Sequence, residues 1–267
     1  TFYKTMKILY FQNKDERSKD VDNIIEKDFP HILREKNPDL IFVSGGDGAM
    51  LHAIQSFGHL RVPFFGYANG TLNFLMNSIP MNDLKSTIKN LEKDKIKLQE
   101  VVTSKIDVQL FSKSKGKKYL GFAVNEVVVG STIMGYHSFT LNSKDNIFTD
   151  FKINGSGLCI STDLGSTGYN FNLGGPVLPL GSNLWSISGI VCNRHLEDII
   201  KVNKLRISCE CQRTNPTVFL DGIDKNITLE KGDEIILKKG SNTKILFQNK
   251  DDFLKKRLEI ISRYRKL

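Results

Sequence analysis

The chain has 267 residues, 40% of them hydrophobic and 25% charged, which is ordinary globular usage and excludes a disordered or fibrous protein. No apolar run approaches the roughly 18 residues that cross a bilayer, and the opening Thr1-Phe2-Tyr3-Lys4 lacks the layout of a secretory leader. The net charge of +9 suits polyanionic ligands. Its clusters at Lys93–Lys97, Lys113–Lys118 and Lys255–Lys266 carry no interleaved run of aromatics, so they read as solvated faces and not as a nucleic-acid platform.

The first 95 residues alternate strand and helix signals. Lys7–Phe11 is a short strand, and Ser18–Phe29 has Val21, Ile24, Ile25 and Phe29 at helical spacing. Asp39–Val43 is a continuous apolar run, as a buried parallel strand should be. Gly48–Phe57 reads as a helix with Met50, Leu51, Ile54 and Phe57 inward, Val62–Gly66 as a third buried strand, and Asn82–Leu91 as a helix. This alternation predicts a doubly wound, Rossmann-like α/β domain over residues 1–95.

From Lys95 to about Asn249 strands dominate. They are expected at Lys105–Phe111, Tyr119–Val129, His137–Leu141, Phe148–Ile153, Leu205–Cys211, Thr217–Leu220, Glu234–Lys238 and Lys244–Phe247. Turns at Lys115-Gly116, Asn154-Gly155, Asp221-Gly222 and Lys231-Gly232 separate them. The pattern predicts an all-β sandwich over residues 96–249, interrupted by a helix at Gly165–Leu173. A polar helix, Asp251–Arg263, is expected in a segment 250–267. Cys159, Cys192, Cys209 and Cys211 show no CxxC spacing, which argues against a zinc site and for reduced thiols in the cytoplasm. Trp185 reads as core, and His52 and His59 as surface or capping residues.

Four stretches do not read as scaffold alone. Ser44-Gly45-Gly46-Asp47-Gly48 follows a buried strand and opens a helix. Glycines there let backbone N–H groups approach a phosphate, and the helix N-terminus favours anions. Asp47 among them would take a proton from a hydroxyl or hold Mg²⁺, or simply cap a tight turn. No Lys-Ser/Thr follows, so this is not a P-loop. A second polar loop, Gly66–Phe74, lies at the end of the next strand. Asn125-Glu126 interrupts the apolar strand GFAVNEVVV; it requires either a polar ligand or an edge facing water. Asn154–Gly175 concentrates glycine, hydroxyl and aromatic residues. Ser161, Thr162, Ser166 and Thr167 offer hydroxyls to a sugar or phosphate, and Tyr169 a stacking face.

Together these residues resemble the NAD kinase family. Its pattern runs GGDG, GxNxGxLGFL, Asn-Glu, DGLxxSTPTGSTAY with a GGP, and a late Asp-Gly. Here it corresponds to Gly45–Gly48, Gly66–Leu75, Asn125-Glu126, Ser156–Tyr169 with Gly174-Gly175-Pro176, and Asp221-Gly222. The resemblance implies that Asp47 is the base that activates the 2′-hydroxyl of NAD, with Gly45, Gly46 and Gly48 forming the phosphate loop. It implies that Asn125 and Glu126 hold the adenosine, that Phe74 and Thr167 line the adenine pocket, and that Tyr169 and Asn172 line the nicotinamide side. Ser156 and Gly168 belong to the implied binding set at positions where the family has Asp and Ala. The implied donor is ATP with Mg²⁺ as divalent metal, or polyphosphate, and the implied assembly a homodimer or homotetramer. Neither nucleic acid nor membrane is an implied partner.

The departures are Ala49 for Thr, Ala68 for Asn, Asn73 for Gly, Ser156 for Asp, Asp163 for Pro and Gly168 for Ala. They motivate one rival reading, a catalytically impaired dinucleotide-binding homologue; a second, a lipid or small-alcohol kinase of the same superfamily, would be supported by an apolar groove near Phe74. A nucleic-acid-binding module rests on charge alone.

Overall fold

The computed structural model describes residues 6–12, 19–68, 73–131, 135–143, 148–201, 203–210, 214–249, 251, 254–255, 258–259 and 262. The chain divides into two compact units, Thr1–Val102 with Thr243–Leu267, and Thr103–Asn242. The divisions fall inside two long strands and not at the polar turns near Lys95 and Asn249. Within the first unit the returning segment pairs in parallel with the N-terminal part, Ile245 opposite Phe64 and Leu246 opposite Phe65.

In the first unit the parallel strands β1 (Ile8–Gln12), β2 (Leu40–Ser44) and β3 (Phe64–Ala68) lie side by side, with β2 in the middle. Every residue of β2 and β3 is buried, which explains their unbroken apolar sequences. A two-residue strand β4 (Asn77–Ser78) pairs with the end of β3. Helices α1 (Lys19–Asp28), α2 (Asp47–Phe57) and α3 (Met81–Glu92) alternate with the strands. Val21 and Ile25 of α1, and Leu84, Ile88 and Leu91 of α3, join Phe42, Phe65 and Tyr67 in one core. Spacings of three and four residues place those helical side chains on a single face. The Asn77 amide donates to the Gly66 and Leu246 carbonyls at 2.9 and 3.0 Å, and its oxygen accepts from the Gln248 N–H at 2.8 Å. One polar side chain thus ties the returning chain to the end of β3.

The second unit is strand-rich, with β5 (Gln99–Ser112), β6 (Gly116–Ala123), β7 (Glu126–Gly130), β8 (His137–Ser143), β9 (Phe151–Ser161), β10 (Trp185–Cys192), β11 (Glu197–Ile200), β12 (Lys204–Glu210), β13 (Thr217–Leu220), β14 (Ile223–Thr228) and β15 (Glu234–Phe247). Each registered pair inside this unit is antiparallel. β9 pairs with β8 through its first half and β7 through its second, and carries β10 on its other edge. Alternate residues such as Ile106, Val108 and Leu110, Val127 and Val129, and Ile235 and Leu237 face one buried core that includes Trp185.

Several elements differ from the sequence expectation. The strand expected over Tyr119–Val129 breaks at Val124-Asn125 into β6 and β7. The segments Glu234–Lys238 and Lys244–Phe247 are one strand, because Lys239–Asn242 reads as a polar turn yet stays extended. The expected helix Gly165–Leu173 is a 3-10 turn, Gly165–Thr167, followed by one α-turn, α4 (Tyr169–Asn172). β10, β11 and β14 were not expected. Cys211, Asn69–Leu72 of the second loop and much of the expected C-terminal helix lie outside the described residues.

Candidate functional site

The glycine loop in the first unit works by geometry. Gly45 adopts φ 144°, a region closed to most side chains, and Gly46 is the N-cap of α2. Asp47 is therefore the first residue of the helix, where its negative charge meets the positive end of the helix dipole. The Phe74 N–H donates to both Asp47 carboxylate oxygens at 3.0 and 2.9 Å, and the Leu75 N–H donates to one at 2.8 Å. The two loops seen separately in the sequence are thus one unit, with Asp47 as the joint. A Cβ on Gly46 would lie 3.1 Å from the Asn73 Oδ1, so the loops are in close contact. A Cβ on Gly48 would meet nothing within 4 Å, so local packing alone does not demand glycine there. Ala49 and Ala68 are buried.

The second unit brings Glu126, Ser156 and Tyr169 to one cavity, with Asn125 beside Glu126 in sequence and a Cβ on Gly168 3.7 Å from the Glu126 Oε2; Thr167 lies in the turn just before Gly168. The break between β6 and β7 is clasped from two directions. Asp221 sits at φ 51° followed by Gly222 at φ 76°, and the two form the tight connection that pairs Leu220 with Ile223. Its carboxylate accepts from the N–H groups of Val124 (2.9 Å), Asn125 (2.7 Å) and Glu126 (3.1 Å). Its own N–H donates to the Glu126 carbonyl at 3.0 Å. On the other side the Thr162 hydroxyl donates to the Val124 carbonyl at 2.6 Å, and the Thr162 N–H donates to the Asn125 carbonyl at 2.8 Å. A Cβ on Gly165 would lie 2.3 Å from that same Asn125 oxygen. The glycine after Asp-Leu is there because the turn packs directly on the backbone of the Asn-Glu pair.

This corrects one expectation. The hydroxyls of Ser161, Thr162 and Ser166 are buried and bonded to backbone carbonyls, Asn125 for the first, Val124 for the second and Asp163 for the third. They build the turn and are not offered to a ligand. Asp163, 2% exposed, accepts from the Thr103 hydroxyl at 2.6 Å, which gives the departure from proline a partner on β5. Asn170, missed in the sequence, is fully buried. Its amide donates to the Ser166 and Pro176 carbonyls and its oxygen accepts from the Ser186 and Ser188 hydroxyls. It fixes the turn that presents Tyr169. The Asn-Phe-Asn run beside the aromatic was the only signal for it.

What the clasped strand break presents is unpaired polarity. The Asn125 Oδ1 and Glu126 Oε2 are buried without a hydrogen-bond partner. Such groups cost about 1–3 kcal/mol each unless something bonds them. Glu126 opens onto a cavity of about 340 Å³, lined also by Val128, Gly130, Ser156, Tyr169 and Phe219. Burial, with the Asp221 carboxylate second, pushes the Glu126 carboxyl up to about 7. Along β7, Glu126, Val128 and Gly130 are alternate residues and share the cavity face, while Val127 and Val129 enter the core. Asn172, the last residue of α4, is exposed and is not among the residues that line this cavity.

Comparison with known proteins fits both halves. Residues 3–96 match the ATP-NAD kinase N-terminal domain and residues 124–248 the ATP-NAD kinase C-terminal domain. The NAD kinase of Rickettsia canadensis (strain McKiel) is 30% identical over 188 residues, 70% of this chain and 70% of that protein. The NAD kinase of Rickettsia bellii (strain OSU 85-389) is 30% identical over 186 residues, 69% of this chain and 68% of that protein. Among solved structures, a yeast NADH kinase complexed with NADH superposes with a TM-score of 0.79 at 16% identity, over 97% of this chain and 88% of the other. An NAD kinase from Archaeoglobus fulgidus in complex with ATP gives 0.66 at 20% identity, over 98% and 100%. At these identities the structures speak to fold. The sequence relatives speak to kinship, and on their evidence this chain is an enzyme of the NAD kinase family.

Proposed function

We propose that the enzyme transfers the terminal phosphoryl group of ATP, or of polyphosphate, to the 2′-hydroxyl of the adenosine ribose of NAD, giving NADP. The observation that carries this reading is the buried, unpartnered pair of acceptors, Asn125 Oδ1 and Glu126 Oε2, at a strand break clasped in place by Asp221 and Thr162. A nucleoside supplies the donors that such acceptors lack, from its exocyclic amine and its ribose hydroxyls. Tyr169, 42% exposed, offers a ring face to the same ligand.

In this mechanism Asp47 accepts the proton of the 2′-hydroxyl as its oxygen bonds to phosphorus. The bond from phosphorus to the bridging oxygen breaks, and ADP leaves. Gly46 and Gly48 bring backbone N–H groups to the phosphates, Gly45 shapes the loop while its own N–H donates to the Tyr67 carbonyl at 3.1 Å, and the N-terminus of α2 adds its dipole. By the family resemblance Phe74 and Thr167 flank the adenine, Asn125 and Glu126 hold the adenosine, and Ser156, Gly168 and Tyr169 attend the nicotinamide side, whereas Asn172, assigned to that side by the same resemblance, stands outside the cavity lining. Among the described residues no three His, Cys, Asp or Glu side chains could hold a metal ion. The resemblance implies Mg²⁺ with ATP, and that ion would enter with the triphosphate as part of the substrate. The same reading makes the enzyme a cytoplasmic homodimer or homotetramer.

The test is product formation. Purified protein with NAD, ATP and Mg²⁺ should yield NADP, read through a coupled NADP-specific dehydrogenase. Asn125→Ala should raise KM for NAD about tenfold or more. Binding of NAD without turnover, with ATP or polyphosphate, would favour an impaired dinucleotide-binding homologue instead.

A further inference from the structure

The cavity of the second unit has two chemically different ends. At one end lie Asn125 and Glu126. At the other, β7 and β9 cross glycine to glycine, with Gly130 paired to Gly157 and Glu126 paired to Ser161. A Cβ on Gly130 would lie 3.0 Å from the Ser156 carbonyl oxygen, and one on Gly157 would lie 2.9 Å from the Gly130 Cα. Neither position can carry a side chain without moving backbone. That end is therefore a flat surface, bordered by the hydroxyl residues Ser131 and Ser156 and by Ile190. A flat, side-chain-free surface with hydroxyls at its margin suits a planar ring bearing a carboxamide, whose amine and oxygen a serine can bond.

The charge of that ring is the discriminating property. Oxidised nicotinamide is a cation, whereas the dihydronicotinamide ring is neutral. Glu126 is the one carboxyl among the described lining residues. Four residues of extended strand, about 13 Å, separate it from Gly130. At that distance in a solvated cleft its field on the ring is weak. Ser156, on β9 beside the glycine crossing, brings a hydroxyl and no charge.

We infer that the ring end of this cavity is built for the neutral, reduced dinucleotide, with Ser156 as the residue that sets the selectivity. This rests on the kinase reading above and deepens it. The enzyme then phosphorylates NADH more readily than NAD, because desolvating the cationic ring against an uncharged surface costs free energy that no counter-charge returns. A carboxylate at position 156 would sit against the ring and favour the cation.

The experiment compares kcat/KM for NADH and NAD, at fixed saturating ATP and Mg²⁺, in the wild type, Ser156→Asp and Ser156→Asn. The wild type is expected to prefer NADH by about threefold or more. Ser156→Asp should move the ratio towards NAD by about tenfold. Ser156→Asn, which has the size of Asp without its charge, should keep the wild-type ratio. A wild type that prefers NAD, or a ratio that Ser156→Asp leaves in place, overturns the inference. A shift of equal size in Ser156→Asn overturns it too, because size and not charge would then be the cause. If neither dinucleotide is phosphorylated, the kinase reading fails instead. The Kd values of the same three proteins for NADH and NAD, by calorimetry, then decide the selectivity alone.

Discussion

Substituting Asp221 by Asn tests how the ligand-facing strand break is held. The wild-type carboxylate accepts from three consecutive backbone N–H groups, those of Val124, Asn125 and Glu126, at 2.9, 2.7 and 3.1 Å. Hydrogen bonds to a charged group contribute about 1.5–3 kcal/mol each, and neutral ones about 1. Asn keeps one acceptor oxygen but turns an amine towards at least one N–H. The loss should be about 2–4 kcal/mol, below the simple sum because the three bonds share one carboxylate. A second effect separates this cause from general damage. Asp221 is the lesser of two influences that raise the Glu126 carboxyl, burial being the greater. Removing the negative charge should lower the Glu126 pKa from about 7 while leaving it above its ordinary value. Urea unfolding measures the first quantity, and carboxyl titration followed by NMR of labelled Glu measures the second. A variant within about 0.5 kcal/mol of wild type, with Glu126 titrating unchanged, would refute the clasp.

Three other outcomes follow from the same geometry. Glu126 has an ordinary carboxyl pKa of 4.5 and a folded value of about 7, so the folded state binds more protons between those values. Its contribution to stability is full below about pH 4.5 and is lost as pH rises through 7, a swing of about 3 kcal/mol. Glu126→Gln should flatten that part of the stability profile in denaturant titrations at pH 5 and pH 8. Gly165→Ala forces a methyl to 2.3 Å from the Asn125 carbonyl oxygen, where backbone must move; it should cost about 1–3 kcal/mol and raise KM for the dinucleotide. Asn170→Leu leaves the Ser186 and Ser188 hydroxyls without their buried acceptor, and thermal melts should show a loss of about 2–5 kcal/mol.

The parallel half of the fold was legible because fully buried strands leave unbroken apolar runs and their helices keep a period near 3.6. In the second half the period-2 strands with strong alternation, such as β12 and β13, were equally plain. β14 was not, because its Asp-Lys-Asn-Ile-Thr sequence is that of an exposed strand whose described partner is β13 alone. β10 hid in the small polar sequence Ser-Ile-Ser-Gly, where Ser186 and Ser188 serve Asn170 rather than a ligand. Asp47 and the Asn125-Glu126 pair stood out as polar residues where scaffold calls for apolar ones or a turn. The clasp by Asp221 was invisible beyond its Asp-Gly turn signal, since its Asn125 partner lies 96 residues away in the chain. Hydroxyl-rich sequence also misled. Serine and threonine can feed a ligand or a backbone carbonyl, and composition does not separate the two.

On the proposal above, the enzyme phosphorylates a dinucleotide with Asp47 as its base. The direct measurement is NADP or NADPH formation beside dinucleotide Kd, in wild type and Asp47→Asn. Asn keeps an acceptor for one of the Phe74 and Leu75 N–H groups that hold the loops together. The expected Kd lies within about threefold of wild type, with kcat reduced by at least the factor of about 10²–10⁴ that general base catalysis supplies. Turnover that survives in Asp47→Asn, or binding lost in proportion to kcat, would contradict it.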